Sequence, residues 1–405
     1  MAFQHGVYIQ ELDTKILGVR TCDSALPFVV GTAPVHTLSG EKPINVPKLI
    51  FSYKEYVATF GAVPVEEDES LYTLSQFAKI YFTLYQMSPA IFVNVFDPSR
   101  HQTDGRPDPT KVTATDIIGG VNAQTGERYG LELIEETFTR FGKVVGYVLA
   151  PGFSHIQSVA NALIAKAEKV CNHFKAMAVI DVPPEVTKPT DALAFKQNFG
   201  SPHAIVVWPH AIFGNQKHWL SSHLVGLSAK VDEKNTGIPY ESPSNKELRI
   251  DGPEKILTIP EANYLNEQGI GTIFRFTTGW KFWGNRTAAF PENTDIKDAF
   301  IPTRRMANWI ENNLVLLTWQ KVDDPMNKRL IESVVSTVNI WLNGLVGRNF
   351  LLGAKVYFRK EDNPLTDLAN GIIRFYITYL APPPAEVIEY ILEVDVTYFN
   401  NLFNG

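Results

Sequence analysis

The sequence predicts an α/β body, an α+β second region and extended strand arms at both chain ends. Three observations predict it. Short apolar runs closed by Gly or Pro alternate with amphipathic helical patterns through the first part of the chain. Two long helical patterns are then followed by three strand-like runs. Alternating apolar segments stand at the two ends, the second set off by three consecutive prolines.

The chain of 405 residues exceeds the usual size of one domain, so two domains are expected. Hydrophobic residues make up 45% and charged residues 20%, enough for a sizeable core and against global disorder. A net charge of -6 argues against a nucleic-acid binder, which would carry a basic excess. No uninterrupted apolar run approaches the roughly 20 residues that span a bilayer, so no membrane insertion is expected. MAFQHGVYIQELDTK lacks a basic leader and an apolar stretch, so no signal peptide is expected. The two cysteines, Cys22 and Cys171, share no motif and are expected to be reduced thiols of a protein made in the cytoplasm.

HGVYIQEL (5–12) alternates Val7 and Ile9 with Tyr8 and Gln10 and predicts a strand. ALPFVVGTAP (25–34) predicts a strand covered on both faces. A helix is predicted over 70–86, a strand over 90–96, a helix over 131–141 and a strand over 144–152. Ser154 is the expected N-cap of a helix carrying Ile156, Val159, Ala160, Leu163, Ala167, Val170 and Phe174 on one face. AMAVIDVP (176–183) and HAIVVWPH (203–210) predict two further strands. The stretch 235–255, rich in Pro, Gly, Ser and Asn, is expected to be an excursion, such as a surface hairpin. Helices are predicted over 303–320 and 326–346, and strands over 353–358, 371–380 and 387–399. Helices first and neighbouring strands afterwards describe an α+β unit.

The last of these strands would carry Ile388, Tyr390, Leu392, Val394 and Val396 on one face. APPPAE (381–386) precedes it, and three prolines favour an extended spacer that projects the strand outward. A strand held away from its own sheet either pairs with another subunit's edge or folds back on its own domain. The pattern leaves both open.

A search for chemistry finds no P-loop, G-x-G-x-x-G, H-E-x-x-H or C-x-x-C. His218 and His223, five apart, would face different sides of a helix and read as solvated or hydrogen-bonded groups, not metal ligands. GFSHI (152–156) is half a nucleophile elbow without its second glycine, so Ser154 reads as a cap. Asp323 and Asp324 before Pro325 suit a helix start. No catalytic residue, metal ligand or cofactor is assigned, and an α/β hydrolase would need a clustered nucleophile and base that the sequence lacks.

GWKFWGNRT (279–287) is the most distinctive string. Trp280 and Phe282 would share one strand face, with Lys281 and Trp283 on the other. Gly284 and Asn285 permit a sharp turn, and Arg286 can brace carbonyls or a carboxylate. It reads as a structural corner at a domain junction or as an interface hot spot.

LNEQGIGTIFR (265–275) followed by GWKFWGNRT resembles the signature of contractile phage tail sheath proteins of myophages and R-type pyocins. HGVYIQEL with ALPFVVGTAP, FKQNFGSPHAIVVWP (195–209) and GIIRFYITYLAPPPAEVIEY (371–390) resemble further stretches of that family in the right order. The stretches 235–255 and 97–130 do not align with it.

The resemblance implies an α/β outer domain plus an α+β inner domain, with N- and C-terminal strand arms donated to neighbouring subunits. Residues 1–20 would be the N-terminal arm, 21–275 the outer domain, 276–385 the inner domain and 386–405 the C-terminal arm. Donated residues would be Val7, Tyr8, Ile9, Gln10, Ile388, Tyr390, Leu392, Val394 and Val396. The accepting sheet would include Ile372, Arg374, Phe375, Tyr376 and Ile377. Lys328, Arg329 and Glu332 on the helix of NKRLIESVVSTVNIWL (327–342) would face an inner tube, unless they form an ordinary solvated face. The implied partners are six copies per ring, an inner tail tube protein, and baseplate and terminator proteins. The implied location is the virion tail, or a bacteriocin or extracellular injection particle. The middle region of the family is sometimes called subtilisin-like, yet no Ser/His/Asp set here supports hydrolysis.

Overall fold

The computed structural model describes residues 23–402. The strand expected at Val7, Tyr8, Ile9 and Gln10, and Cys22, lie outside the described residues.

A nine-stranded sheet forms the body. Its strands in chain order are β1 (Pro27–Gly31), β2 (Lys48–Ile50), β3 (Ala90–Asn94), β4 (Tyr147–Leu149), β5 (Met177–Asp181) and β6 (Ala204–Val207). β7 (Ala211–Phe213), β8 (Gln216–His218) and β10 (Gly252–Pro253) make a small separate sheet. β9 (Lys246–Glu247), β11 (Ile270–Phe274) and β12 (Lys281–Trp283) complete the large one. Its order is β9-β12-β11-β6-β5-β4-β1-β3-β2, with the six central strands from β11 to β3 parallel and the rest antiparallel.

The apolar runs that predicted strands do so because both sheet faces are covered. Along β5 and β6, Ile180 and Val206 pack into one cluster with Leu265 and Phe199, while Val179, Ile205 and Val207 pack into the other. Helices α1 (Tyr53–Phe60), α2 (Thr73–Ala78, continued as a π-helix over Lys79–Leu84), α3 (Gln157–Glu168), α4 (Pro189–Lys196), α5 (Leu220–Lys234) and α6 (Ile259–Glu267) supply the cover. Complete burial of a Val, Ile or Phe such as Phe28, Val29 and Val30 contributes about 1.5–3 kcal/mol each.

After β12 the chain forms α7 (Ile301–Thr318), α8 (Lys328–Gly347) and an antiparallel ribbon of β13 (Gly353–Tyr357) and β14 (Tyr376–Leu380). The rings of Trp309 and Trp341 stack α7 on α8, with centroids 5.7 Å apart. Asn339 on α8 clamps β13: its side chain accepts from the Val356 amide and donates to the Val356 carbonyl, both at 3.0 Å. By length and composition α8 is apolar enough to cross a membrane, yet Val334, Val338, Leu342 and Leu345 are buried within this chain.

Several expectations change. The 235–255 stretch is no surface hairpin: β9 pairs with β12 and β10 pairs with β7, so it is woven into both sheets. The expected boundary at 275/276 falls inside the β11–β12 hairpin, and the sheet continues to Trp283. Helix α3 ends at Glu168, and Val170 instead bridges Phe174 beyond it. The strand expected over 371–380 begins at Tyr376. The strand expected over 387–399 has no ladder partner among the described residues, and 396–402 close as a 3-10 turn. Extended backbone becomes a strand only when a neighbouring edge completes its hydrogen bonds.

Candidate assembly interface

The carboxyl ends of the parallel strands are where α/β proteins hold ligands, at the point where strand order reverses. Here that point is β1, flanked by β3 and β4. The loop that follows β1 there is tied down by the protein itself. Leu74 donates its amide to Thr32 O at 3.0 Å, and Asn94 Oδ1 accepts from the amides of Ala33 and Phe96 at 2.9 and 3.1 Å.

Ser154 lies beside this point and is not a cap, because Ile156 occupies that position. Its buried hydroxyl donates to Asp181 Oδ2 at 3.0 Å and accepts the Asp181 amide at 3.0 Å. The Ser221 amide donates to Asp181 Oδ1 at 2.9 Å. Burial pushes the Asp181 carboxyl above its ordinary range, although Ser221, His210 and Ser154 oppose this. The Ser154 hydroxyl is therefore engaged with a carboxyl group and poorly placed to attack anything.

His218 precedes α5 rather than riding on it, so the two histidines meet. His218 Nδ1 and His223 Nε2 are 3.2 Å apart, both side chains buried, and Tyr85 Oη reaches His223 Nδ1 at 3.3 Å. Burial, then His218, pushes the His223 imidazole down to about 3. Asp323 and Asp324 do not start α8: Asn327 caps it, accepting the Leu330 amide at 3.0 Å. Among the described residues no three His, Cys, Asp or Glu side chains converge as metal ligands.

The GWKFWGNRT string forms a corner. Phe282 is buried, the Trp283 ring meets Phe274, and the Trp280 indole donates to Asp251 O at 2.9 Å. Gly284 has φ +141° and approaches Gly271 so closely that a Cβ would sit 3.0 Å from its Cα. Asn285 accepts the Ser242 hydroxyl through its side chain and the Ile301 amide, at 2.7 Å, through its carbonyl. Arg286 lies between two rings, 4.2 Å from Phe290 and 3.9 Å from Phe300, and donates to Glu386 Oε2 at 2.5 Å.

Beyond Glu386 the chain leaves the body. Tyr390, Ile391, Leu392 and Val394 are 85–95% exposed, and Ile388 and Val396 are exposed too. A run of apolar side chains this bare is characteristic of an interaction segment. On the ribbon, the Val356 backbone of β13 is taken by Asn339, and β14 pairs with no second strand among the described residues. Tyr376 and Ile377 lie on β14. Ile372, Arg374 and Phe375 precede it, and the Arg374 amide and carbonyl are both held by the Asn363 side chain. Lys328 and Glu332 pair at 3.6 Å and, with Arg329, are exposed at the start of α8.

Residues 110–288 match the sequence profile of the phage tail sheath protein central domain. The chain is 34% identical over 319 residues to the tail sheath protein of Burkholderia phage BcepMu, a match covering 74% of this chain and 65% of that relative. It is 24% identical over 416 residues to the tail sheath protein of Escherichia phage P2, covering 99% and 98% of the two chains. This chain therefore carries, over residues 110–288, the central domain of the phage tail sheath family. Its fold is similar to a chain in the contracted sheath complex of the extracellular contractile injection system PVC, with TM-score 0.70, 20% identity and 98% and 99% coverage. Both relatives are tail sheath proteins of phages, and the structural neighbour belongs to the sheath complex of a contractile injection system.

Sequence reasoning missed Glu386, Asp232 and Arg305. Glu386 had a signal, since it is the first charge after the prolines and Arg286 was expected to brace a carboxylate. No local pattern marks Asp232 and Arg305, which are far apart in the chain and meet through the fold.

Proposed function

We propose that this subunit assembles with copies of itself into stacked six-fold rings around an inner tube, and that the sheath shortens to drive the tube through a cell envelope. Each subunit lends Ile388, Tyr390, Leu392, Val394 and Val396 to the open β14 edge of a neighbour, at Tyr376 and Ile377. Val7, Tyr8, Ile9 and Gln10 form the second lent strand. The body and the α7–α8 region act as outer and inner parts. Lys328, Arg329 and Glu332 face the tube protein, with baseplate and terminator proteins at the two ends. The protein is made in the cytoplasm and resides in a virion tail, or in a bacteriocin or extracellular injection particle.

The observation that carries this reading is the bare, largely apolar segment from Val387 to Leu402, which follows the ribbon in the chain and has no ladder partner among the described residues. Each backbone bond formed there contributes about 0.5–1.5 kcal/mol. Each apolar side chain buried adds about 1.5–3 kcal/mol. Such links persist while the contacts between bodies exchange. The test is deletion of 387–405 in purified protein: the circular dichroism of the native subunit is expected, with no tubes in negative-stain micrographs. Tubes of normal length would overturn the reading.

A further inference from the structure

We infer that Arg286 is the fixed pivot of the C-terminal arm, a positioning residue that sets where and in what direction the arm leaves the subunit body. The inference rests on the arm-donation reading and assigns it a residue.

The prolines at 382–384 make the spacer stiff, so the arm's heading is decided at its root. Glu386 is the first charged residue after them, and the Arg286 guanidinium holds it at 2.5 Å. The guanidinium is itself held by the Phe290 and Phe300 faces. A cation between two rings is orientationally confined, so the carboxylate it binds is confined as well. An exposed ion pair with free side chains would not do this.

The platform beneath the pivot is stiff. Residues 285–287 pair with 299–301: the Ile301 amide donates to Asn285 O at 2.7 Å and the Thr287 amide to Ala299 O at 3.1 Å. Phe300 is also the residue that caps α7. The far end of the described chain roots on the same helix. Arg305, five residues further along α7, bonds Ser24 O at 3.4 Å and, with Ser24 Oγ, the Asp232 carboxylate. The start of the described chain and the root of the C-terminal arm are thus fixed to about one and a half turns of a single helix. A rotation of α7 relative to its neighbours would therefore carry the root of the C-terminal arm with it.

The test uses the full-length subunit with Glu386→Gln and, separately, Arg286→Gln, beside the 387–405 deletion. A dye is placed at Val387→Cys in a Cys22→Ser, Cys171→Ser background and its local motion read by anisotropy decay. Both substitutions are expected to loosen the dye's motion and to raise the critical concentration for tube formation by about threefold to tenfold, as for the loss of one charge-assisted bond. The urea midpoint of Glu386→Gln is expected to stay at the wild-type value, separating positioning from folding. Unchanged anisotropy and critical concentration, with the deletion still blocking assembly, would overturn the pivot and leave arm donation standing. Normal assembly by the deletion variant would overturn both.

Discussion

Arg305 bonds both carboxylate oxygens of Asp232, and both side chains are almost wholly buried between α7 and α5. Ser24 Oγ lies 2.5 Å from the same carboxylate and 2.8 Å from Gly237 O, and its single proton is shared between these two acceptors. The helix that opens the second half of the molecule is thereby locked to the body and to the start of β1. Removing one partner strands a charge in the interior. Asp232→Ala is expected to lower unfolding free energy by about 3–5 kcal/mol, and Asp232→Leu with Arg305→Met to recover most of it. Urea denaturation of the two variants checks this, and a loss below about 1 kcal/mol would count against the lock.

The buried histidine pair predicts a pH dependence of stability. His223 is held near 3 in the native protein against an ordinary value of 6.5. Between these values the unfolded chain binds a proton that the folded chain refuses. Stability is therefore intact above about pH 6.5 and falls as the pH drops toward 3, by about 1.4 kcal/mol per unit in mid-window. His223→Gln keeps a neutral hydrogen-bonding group beside Tyr85 and His218 but does not titrate. Its stability curve over this window is expected to be shallower than wild type by up to one proton, read from urea midpoints at stepped pH. Parallel curves would refute the assignment.

The corner formed by GWKFWGNRT makes a packing prediction. A Cβ on Gly271 would stand 2.4 Å from the Phe282 ring tip. Phe282 is wholly buried and cannot swing aside. Gly271→Ala is expected to cost about 1–3 kcal/mol as overpacking. Thermal melts check the loss, and Gly271→Ala with Phe282→Leu should regain part of it.

The parallel sheet was legible because burial on both faces leaves unbroken apolar runs, as at Phe28–Val30 and Ile205–Val207. Helices α7 and α8 were legible through their periodicity. Misreadings came where composition stood in for pairing. The polar stretch 235–255 looked like an excursion, yet two short backbone pairings, at Lys246 and Gly252, tie it in without apolar residues. Ser154 looked like a cap because serine before a helix usually is one, but Asp181, 27 residues away in sequence, claimed its hydroxyl. The arm's alternation at Ile388–Val396 was visible, whereas among the described residues no strand edge pairs with it, so the alternation does not become a strand.

The start of α8 carries the remaining prediction. Lys328 and Arg329 are exposed, and the Lys328–Glu332 pair at 3.6 Å is open to water, with the Lys328 side chain 90% exposed. Exposed charges add little to folding and are screened by salt, which suits a contact that must release. Lys328→Glu with Arg329→Glu is expected to leave the urea midpoint within about 0.5 kcal/mol of wild type. It is expected to impair co-assembly with the tube protein far more than polymerisation of sheath on its own. Counting sheathed tubes and empty sheath cylinders in the same micrographs separates the two. Equal loss of both would place these charges in contacts between sheath subunits instead.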